Sequence, residues 1–154
     1  MIFLSAEDGP LQVALGKTQL AWLEQDLAKH KARPTLIFFH GPLKNTLLTY
    51  NPKINQPRTI AMPADKLQKI LAANPQVKLW ISGHTHTPYT NPSYANQSVN
   101  WYNENLYNLH NDCMDQKVIT TNSVYLYEDH IEIKTYNHST QSWIPQCDRM
   151  LRID

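Results

Sequence analysis

Three short apolar runs in the first half of the chain predict β-strands. They cover residues 2–5, 35–39 and 77–82, and Gly, Pro or polar residues bound each of them. Because each run is short and continuous, we expect it to form a buried strand.

Two segments with helical periodicity separate these runs. Thr18 is the expected cap of the first helix, and Pro34 follows its expected end. The second helix is expected to start near Pro63 and to end before Pro75. The apolar residues of the two helical stripes are Leu20, Leu23 and Leu27, then Leu67, Ile70 and Leu71. An alternation of strands and helices is typical of a parallel sheet with helical crossovers.

The second half of the chain changes to alternating, β-rich segments. Residues 118–127 and 131–136 alternate apolar and polar positions, and a short turn at 128–130 joins them. This pattern predicts an antiparallel β-meander. The sequence therefore predicts a single α/β domain over residues 1–154, in which a parallel β-α-β-α-β unit precedes the meander.

Two long connections show no clear periodicity. They run over residues 41–62 and 87–110, and the second is rich in Asn, Tyr and Pro. In a compact domain, a connection longer than about 15 residues is usually a functional loop or an insertion. We therefore expect both segments to be loops.

Composition and charge exclude several classes of function. The chain is 42% hydrophobic and 18% charged, with a formal net charge of +1, as in an ordinary globular domain. It has no basic patch for nucleic acid and no apolar run that could span a membrane. Its start has no signal-peptide pattern, but this absence leaves the compartment open, and the cytoplasm is only the default expectation.

Cys113 and Cys147 are too far apart in the sequence to form a C-x-x-C motif. We expect two buried free thiols, and a disulfide between them is the alternative.

Histidines follow two neighbouring strands of the predicted sheet. His40 comes directly after the second apolar run, and Gly83 leads into His84 and His86 after the third. Because ligands bind beyond the carboxyl ends of parallel strands, these side chains are expected to converge at one edge of the sheet. Neutral imidazole is a common ligand of zinc and other transition metals. The trio therefore predicts a metal site; satisfied polar residues at a sheet edge are the alternative.

Three motifs of the sequence together resemble calcineurin-like metallophosphoesterases. They are G-K-T-Q-L-A-W-L-E at residues 16–24, I-F-F-H-G-P at 37–42 and W-I-S-G-H-T-H at 80–86. The tail at residues 125–133 is similar to the β-hairpins that finish these domains. The G-H-T-H element is the most specific part of the resemblance.

The resemblance implies an α/β/β/α sandwich around two divalent metal ions, commonly Mn, Fe, Zn or Mg. It implies hydrolysis of a phosphomonoester or phosphodiester by a metal-activated hydroxide. His40 and His84 would bind one metal, and His86 would bind the other. The expected substrate-binding residues in the loop after His40 are Lys44 and Arg58, with Lys53 as a further candidate.

The family motifs that come earlier in such domains are absent from the chain. They are D-x-H, GD-x-x-D and GNH, so no catalytic histidine is identifiable and most metal ligands are missing. The H-x-D element that starts at His110 has the reverse order, and we expect it in a surface loop. The Asn137-His138 pair is expected in a hairpin turn.

The resemblance therefore identifies the chain as the carboxyl-terminal portion of a phosphoesterase domain. We expect it to hold one metal or none and to be inactive by itself. The alternative is a non-catalytic metal-binding or interaction fragment. The expected partners are a phosphate-ester substrate and either a second copy of the chain or the missing amino-terminal half. The aromatic residues expected to form a stacking wall, or else to pack the second loop, are Tyr89, Tyr94, Trp101 and Tyr102.

Overall fold

The computed structural model describes residues 1–48, 54–112 and 117–153. The strands are β1 (Ile2–Phe3), β2 (Thr35–Phe38), β3 (Val77–Ser82), β4 (Trp101–Asn103), β5 (Leu106–His110), β6 (Thr120–Leu126), β7 (His130–Asn137), β8 (Ser142–Trp143) and β9 (Arg149–Arg152). The α-helices are α1 (Lys17–Lys29), α2 (Ala64–Ala72) and α3 (Gln97–Asn100), and a 3₁₀ turn covers Pro145–Cys147.

The first sheet has the strand order β1-β2-β3-β5-β4. All neighbouring pairs are parallel except β4 and β5, which form an antiparallel pair. The three predicted strands are confirmed as β1, β2 and β3. The expectation of a loop throughout residues 87–110 is wrong, because α3, β4 and β5 form within it. The polar residues Asn108 and His110 are buried in β5. Because they are polar, the hydrophobicity pattern of the sequence does not reveal this strand.

Both predicted helices form, but the cap assigned to the first was wrong. Gly16 is the N-cap of α1, with an extended backbone and no side-chain cap, so Thr18 lies inside the helix. The helix ends at Lys29, well before Pro34. The start of α2 after Pro63 is as predicted.

The core consists of two apolar layers on opposite faces of the first sheet. One layer joins α1 and α2 to this sheet, and its main members are Leu20, Leu23, Leu27, Ile37, Leu67, Ile70, Leu71, Val77 and Trp80. The other layer joins the first sheet to the second, through Leu36, Leu79, Tyr107, Leu109, Ile131, Ile133 and Leu151. The described residues thus supply helix, sheet and sheet in that order, in agreement with the predicted α/β sandwich.

The second sheet is antiparallel, and β7 lies at its centre. β6 pairs along one side of β7, with Leu126 opposite Ile131, and β8 and β9 share the other side. The predicted meander is confirmed for β6 and β7. The sequence argument did not anticipate β9, whose alternation covers only four residues.

β1 and β6 are edge strands of the first and second sheet, and an apolar gap lies between the two sheets at these edges. Among the described residues, β1 pairs only with β2, and β6 pairs only with β7. Phe3 is 72% exposed and stacks on Phe38, with 4.5 Å between the ring centroids. A cavity of about 370 Å³ is lined there by Met1, Leu36, Phe38, Ile81, Leu109, Asn111, Asn122, Val124 and Leu126. Both strand edges are therefore free to pair with another chain segment.

Within the described ranges, none of the helices combines the length and apolar character that a membrane crossing requires.

Candidate metal centre

The predicted metal ligands lie where two parallel strands end. His40 follows β2, and the backbone N–H of Gly83, after β3, donates to the His40 carbonyl at 3.1 Å. His84 and His86 have positive φ angles of 61° and 46°, which non-glycine residues rarely adopt. The φ angle of Gly83 is not positive. The strained backbone belongs to the two histidines themselves, as is common at functional sites.

His40 and His84 contact each other through ring nitrogens. His40 Nε2 and His84 Nδ1 are 2.9 Å apart, and the ring centroids are 4.8 Å apart in an edge-to-face arrangement. On the other side of the ring, His84 Nε2 lies 2.7 Å from the backbone oxygen of Arg58. A carbonyl oxygen can only accept, so Nε2 carries the proton of His84 and Nδ1 presents its lone pair to His40. The two nitrogens therefore face each other, with His40 Nε2 as the donor and His84 Nδ1 as the acceptor.

The surroundings of His40 favour its neutral form. Partial burial lowers its pKa, and the neighbouring rings of His84 and His86 lower it further. A neutral imidazole keeps a lone pair that can bind a metal, whereas a protonated imidazole has none. The ring is therefore available as a ligand at neutral pH.

His86 stands apart from this pair. It is exposed and lines a cavity of about 440 Å³, whereas His40 lines a separate cavity of about 310 Å³. In the three described ranges, no group of three or more His, Cys, Asp or Glu side chains is arranged to hold a metal ion. The structure thus brings two of the predicted ligands into contact and leaves the third nearby.

The two predicted substrate-binding residues occupy different places. The side chain of Arg58 is exposed, and its backbone carbonyl is the atom that meets His84. Lys44 is exposed and lines a cavity of about 180 Å³ with Trp101 and Tyr102, and neither His40 nor His86 lines that cavity. Lys53 lies outside the described residues, as does Cys113.

A buried polar network holds the segment that follows His40. Asn108 Oδ1 accepts from the backbone N–H of Leu43 at 2.9 Å, and His110 Nε2 donates to the Thr46 carbonyl at 2.9 Å. The indole N–H of Trp80 donates to the Gly41 carbonyl at 2.9 Å. These bonds satisfy backbone groups that would otherwise be buried without partners. They fix the chain directly after the candidate ligand.

The placement of His110 corrects the expectation of a surface loop. Its side chain is fully buried at the end of β5, and burial lowers its pKa to about 4. It is therefore neutral at physiological pH. The sequence signal that was missed is the pair of polar residues at alternate positions in the run Leu-Tyr-Asn-Leu-His at 106–110.

Most residues of the expected stacking wall pack within the domain. Tyr94 is buried against Ile144 and Cys147, Trp101 packs edge to face on Tyr107, and Tyr102 joins the helix-side core. Tyr89 is half-buried and packs against the same cluster as Tyr94, and it also lines the cavity beside His86.

Comparison with known proteins places this geometry in a family. The family model of calcineurin-like phosphoesterases matches residues 4–88, which include all three histidines. The chain belongs to the calcineurin-like phosphoesterase family. The members of this family are metallophosphatases, which are hydrolases. No curated protein gives a significant match to the sequence.

A solved structure shows the same fold. The crystal structure of a dimetal phosphatase from Danio rerio is similar to the chain, with a TM-score of 0.61 and 16% sequence identity. The match covers 91% of this chain and 39% of that one, so the chain spans well under half the length of this neighbour. The likeness shows the fold alone.

Proposed function

We propose that the histidine cluster is part of the metal site of a phosphoesterase that hydrolyses a phosphomonoester or phosphodiester. The observation that carries this proposal is the convergence of His40 Nε2 and His84 Nδ1 at 2.9 Å. Two nitrogens that bind one ion at right angles, each about 2.1 Å away, are about 3 Å apart. The donor pair therefore fits a divalent ion, with His86 as the ligand of a second ion.

The Arg58 carbonyl supports this assignment. Metal-binding histidines generally donate their second ring N–H to a carbonyl or carboxylate, which fixes the tautomer and the ring orientation. The bond from His84 Nε2 to Arg58 supplies this support, and it leaves Nδ1 without a proton, with the lone pair that a metal would take in place of the contact with His40. Arg58 thus contributes its backbone carbonyl, and a substitution that keeps the local backbone conformation would preserve this hydrogen bond.

Imidazole ligands narrow the choice of metal. Nitrogen donors suit Fe and Zn better than Mg, which prefers oxygen. When bound, a transition metal neutralises phosphate charge and lowers the pKa of its water. The residues of this chain hold and orient such an ion.

Phosphate binding tests the proposal without requiring turnover. Inorganic phosphate should bind the Mn²⁺-loaded chain in a calorimeter, and it should not bind the metal-free chain. His84→Ala should abolish the binding, and His138→Ala, a change at an exposed histidine after β7, should leave it intact. Phosphate binding that is independent of both Mn²⁺ and His84 would contradict the proposal.

Hydrolysis by this chain alone is expected to be negligible. Three histidines without a bridging carboxylate would leave about +4 charge uncompensated around two divalent ions. Bis(p-nitrophenyl) phosphate with Mn²⁺ should therefore show no turnover above that of His84→Ala. A rate of about 1 s⁻¹ or more that depends on His84 would contradict this. It would mean that carboxylates of this chain, such as Asp8 or Asp112, complete the site. Without turnover, the chain is the non-catalytic metal-binding portion of such an enzyme.

The apolar gap between β1 and β6 supports a proposal about partners. Unpaired strand edges and large apolar surfaces tend to be covered by other chains. We propose that a second copy of this chain, or an upstream segment of a longer protein, covers the gap. The isolated chain should therefore be larger than a monomer in light scattering at micromolar concentration.

A charge at this edge tests the partner proposal. Phe3→Lys places a cation on the exposed side of β1 and should shift the chain toward monomer. Trp22→Lys, at a half-exposed position on α1, is the matched control and should leave the association unchanged. A wild-type chain that is a monodisperse and cooperatively folded monomer would refute the proposal.

A further inference from the structure

The cavity beside His86 is larger than a metal-bound phosphate requires. Its volume of about 440 Å³ falls in the range of small-molecule binding sites, roughly 300–1,000 Å³. His86 forms part of its wall, so the cavity adjoins the candidate metal centre. A phosphate held at the histidines would leave most of this space for the group that the phosphate is esterified to.

Apolar side chains form part of the cavity lining. Pro88, the half-buried Tyr89 and Val118 line the cavity. The first two come directly after the G-H-T-H element, and Val118 comes just before β6. Tyr89 packs against the cluster of Tyr94, Ile144 and Cys147, and it is the residue of the expected stacking wall that lines this cavity. Aromatic side chains at such sites bind flat rings by offset stacking or by edge-to-face contact.

The charged residues of the cavity do not by themselves select a charged ligand. Asp112 and Lys117 contribute one formal charge of each sign to its lining. A second anionic group would meet the Asp112 carboxylate, and a cationic group would meet Lys117. The apolar wall therefore decides which organic group the cavity prefers.

We propose that this cavity receives the organic group of the phosphate ester and that the group carries a flat, uncharged ring that packs against Tyr89. The inference rests on the proposed function, because it places the phosphate at the histidines. It adds the substrate class: an ester of an aromatic or similarly flat ring is preferred over an ester of a short alkyl chain.

Two phosphate probes of equal charge separate the ring from the phosphate. Phenyl phosphate should bind the Mn²⁺-loaded full chain about tenfold more tightly than methyl phosphate, because only the phenyl ring reaches Tyr89. Tyr89→Ala should remove this difference by weakening phenyl phosphate alone, and Tyr89→Phe should retain it. Tyr125→Ala, at an exposed tyrosine of β6 outside the cavity, is the matched control and should change neither affinity.

The possible results separate this inference from the proposed function. Equal binding of the two probes to the wild type would overturn the inference, and so would a preference for phenyl phosphate that survives Tyr89→Ala. In both cases metal-dependent phosphate binding would still stand. If neither probe binds the metal-loaded chain, the inference and the proposed function fail together.

Discussion

Replacing His84 with alanine should lower the metal affinity of the chain by on the order of 100-fold or more. Loss of a residue that only orients a ligand costs about 10- to 100-fold, and His84 is a direct ligand in the proposed site. His86→Ala should also reduce the metal content, since His86 is proposed to bind a second ion. Titration calorimetry with Mn²⁺ or Zn²⁺ measures the affinity, and elemental analysis after mild dialysis measures the content.

The metal affinity should also depend on pH in a defined direction. Imidazole must be neutral to bind a metal, so affinity should fade below about pH 6. The pKa of His40 is lowered by burial and by its two histidine neighbours, so this ring stays neutral to lower pH than a free imidazole does. His138→Ala serves as the control in the same titrations. If wild type and His84→Ala come out of dialysis equally free of metal, the proposed site is wrong.

Acidification should destabilise the fold through His110. The folded-state pKa of His110 is about 4, below the ordinary imidazole value of 6.5, because the ring is fully buried. Between these values the unfolded chain binds a proton that the folded chain does not. Stability from the neutral ring is therefore complete above about pH 6.5 and is lost as pH falls toward 4, at about 1.4 kcal/mol per pH unit. The total loss is about 3 kcal/mol.

A variant that does not titrate isolates this contribution. His110→Gln can still donate to the Thr46 carbonyl but has no imidazole, while every carboxylate stays in place. Urea unfolding measures the unfolding free energy at about pH 7 and at about pH 4.5. This free energy should drop more in wild type than in His110→Gln, and the extra drop should correspond to one proton taken up on unfolding. Equal drops in the two proteins would show that His110 is not the group that titrates.

The sequence alone determined the elements that rest on continuous apolar patterns. The leucine stripe of α1, the start of α2 and the runs that became β2 and β3 are local features, because apolar periodicity reflects which face a segment buries. The positions of His40 and His84 at the ends of β2 and β3 followed from the same patterns. Once two strands are parallel neighbours, residues at their carboxyl ends must lie close together.

Only the tertiary structure decided which polar residues belong inside. Asn108 and His110 are polar in any hydrophobicity argument, yet both are buried in β5, because backbone groups 64 or 65 residues away in the chain need their hydrogen bonds. The partner of His84 is likewise a backbone carbonyl, which every residue has and no sequence pattern marks. Hydrogen bonds between distant segments depend on how the chain packs. The sequence thus located the candidate ligands, and the packing of the loop after β2 against β3 and β5 decided how they are held.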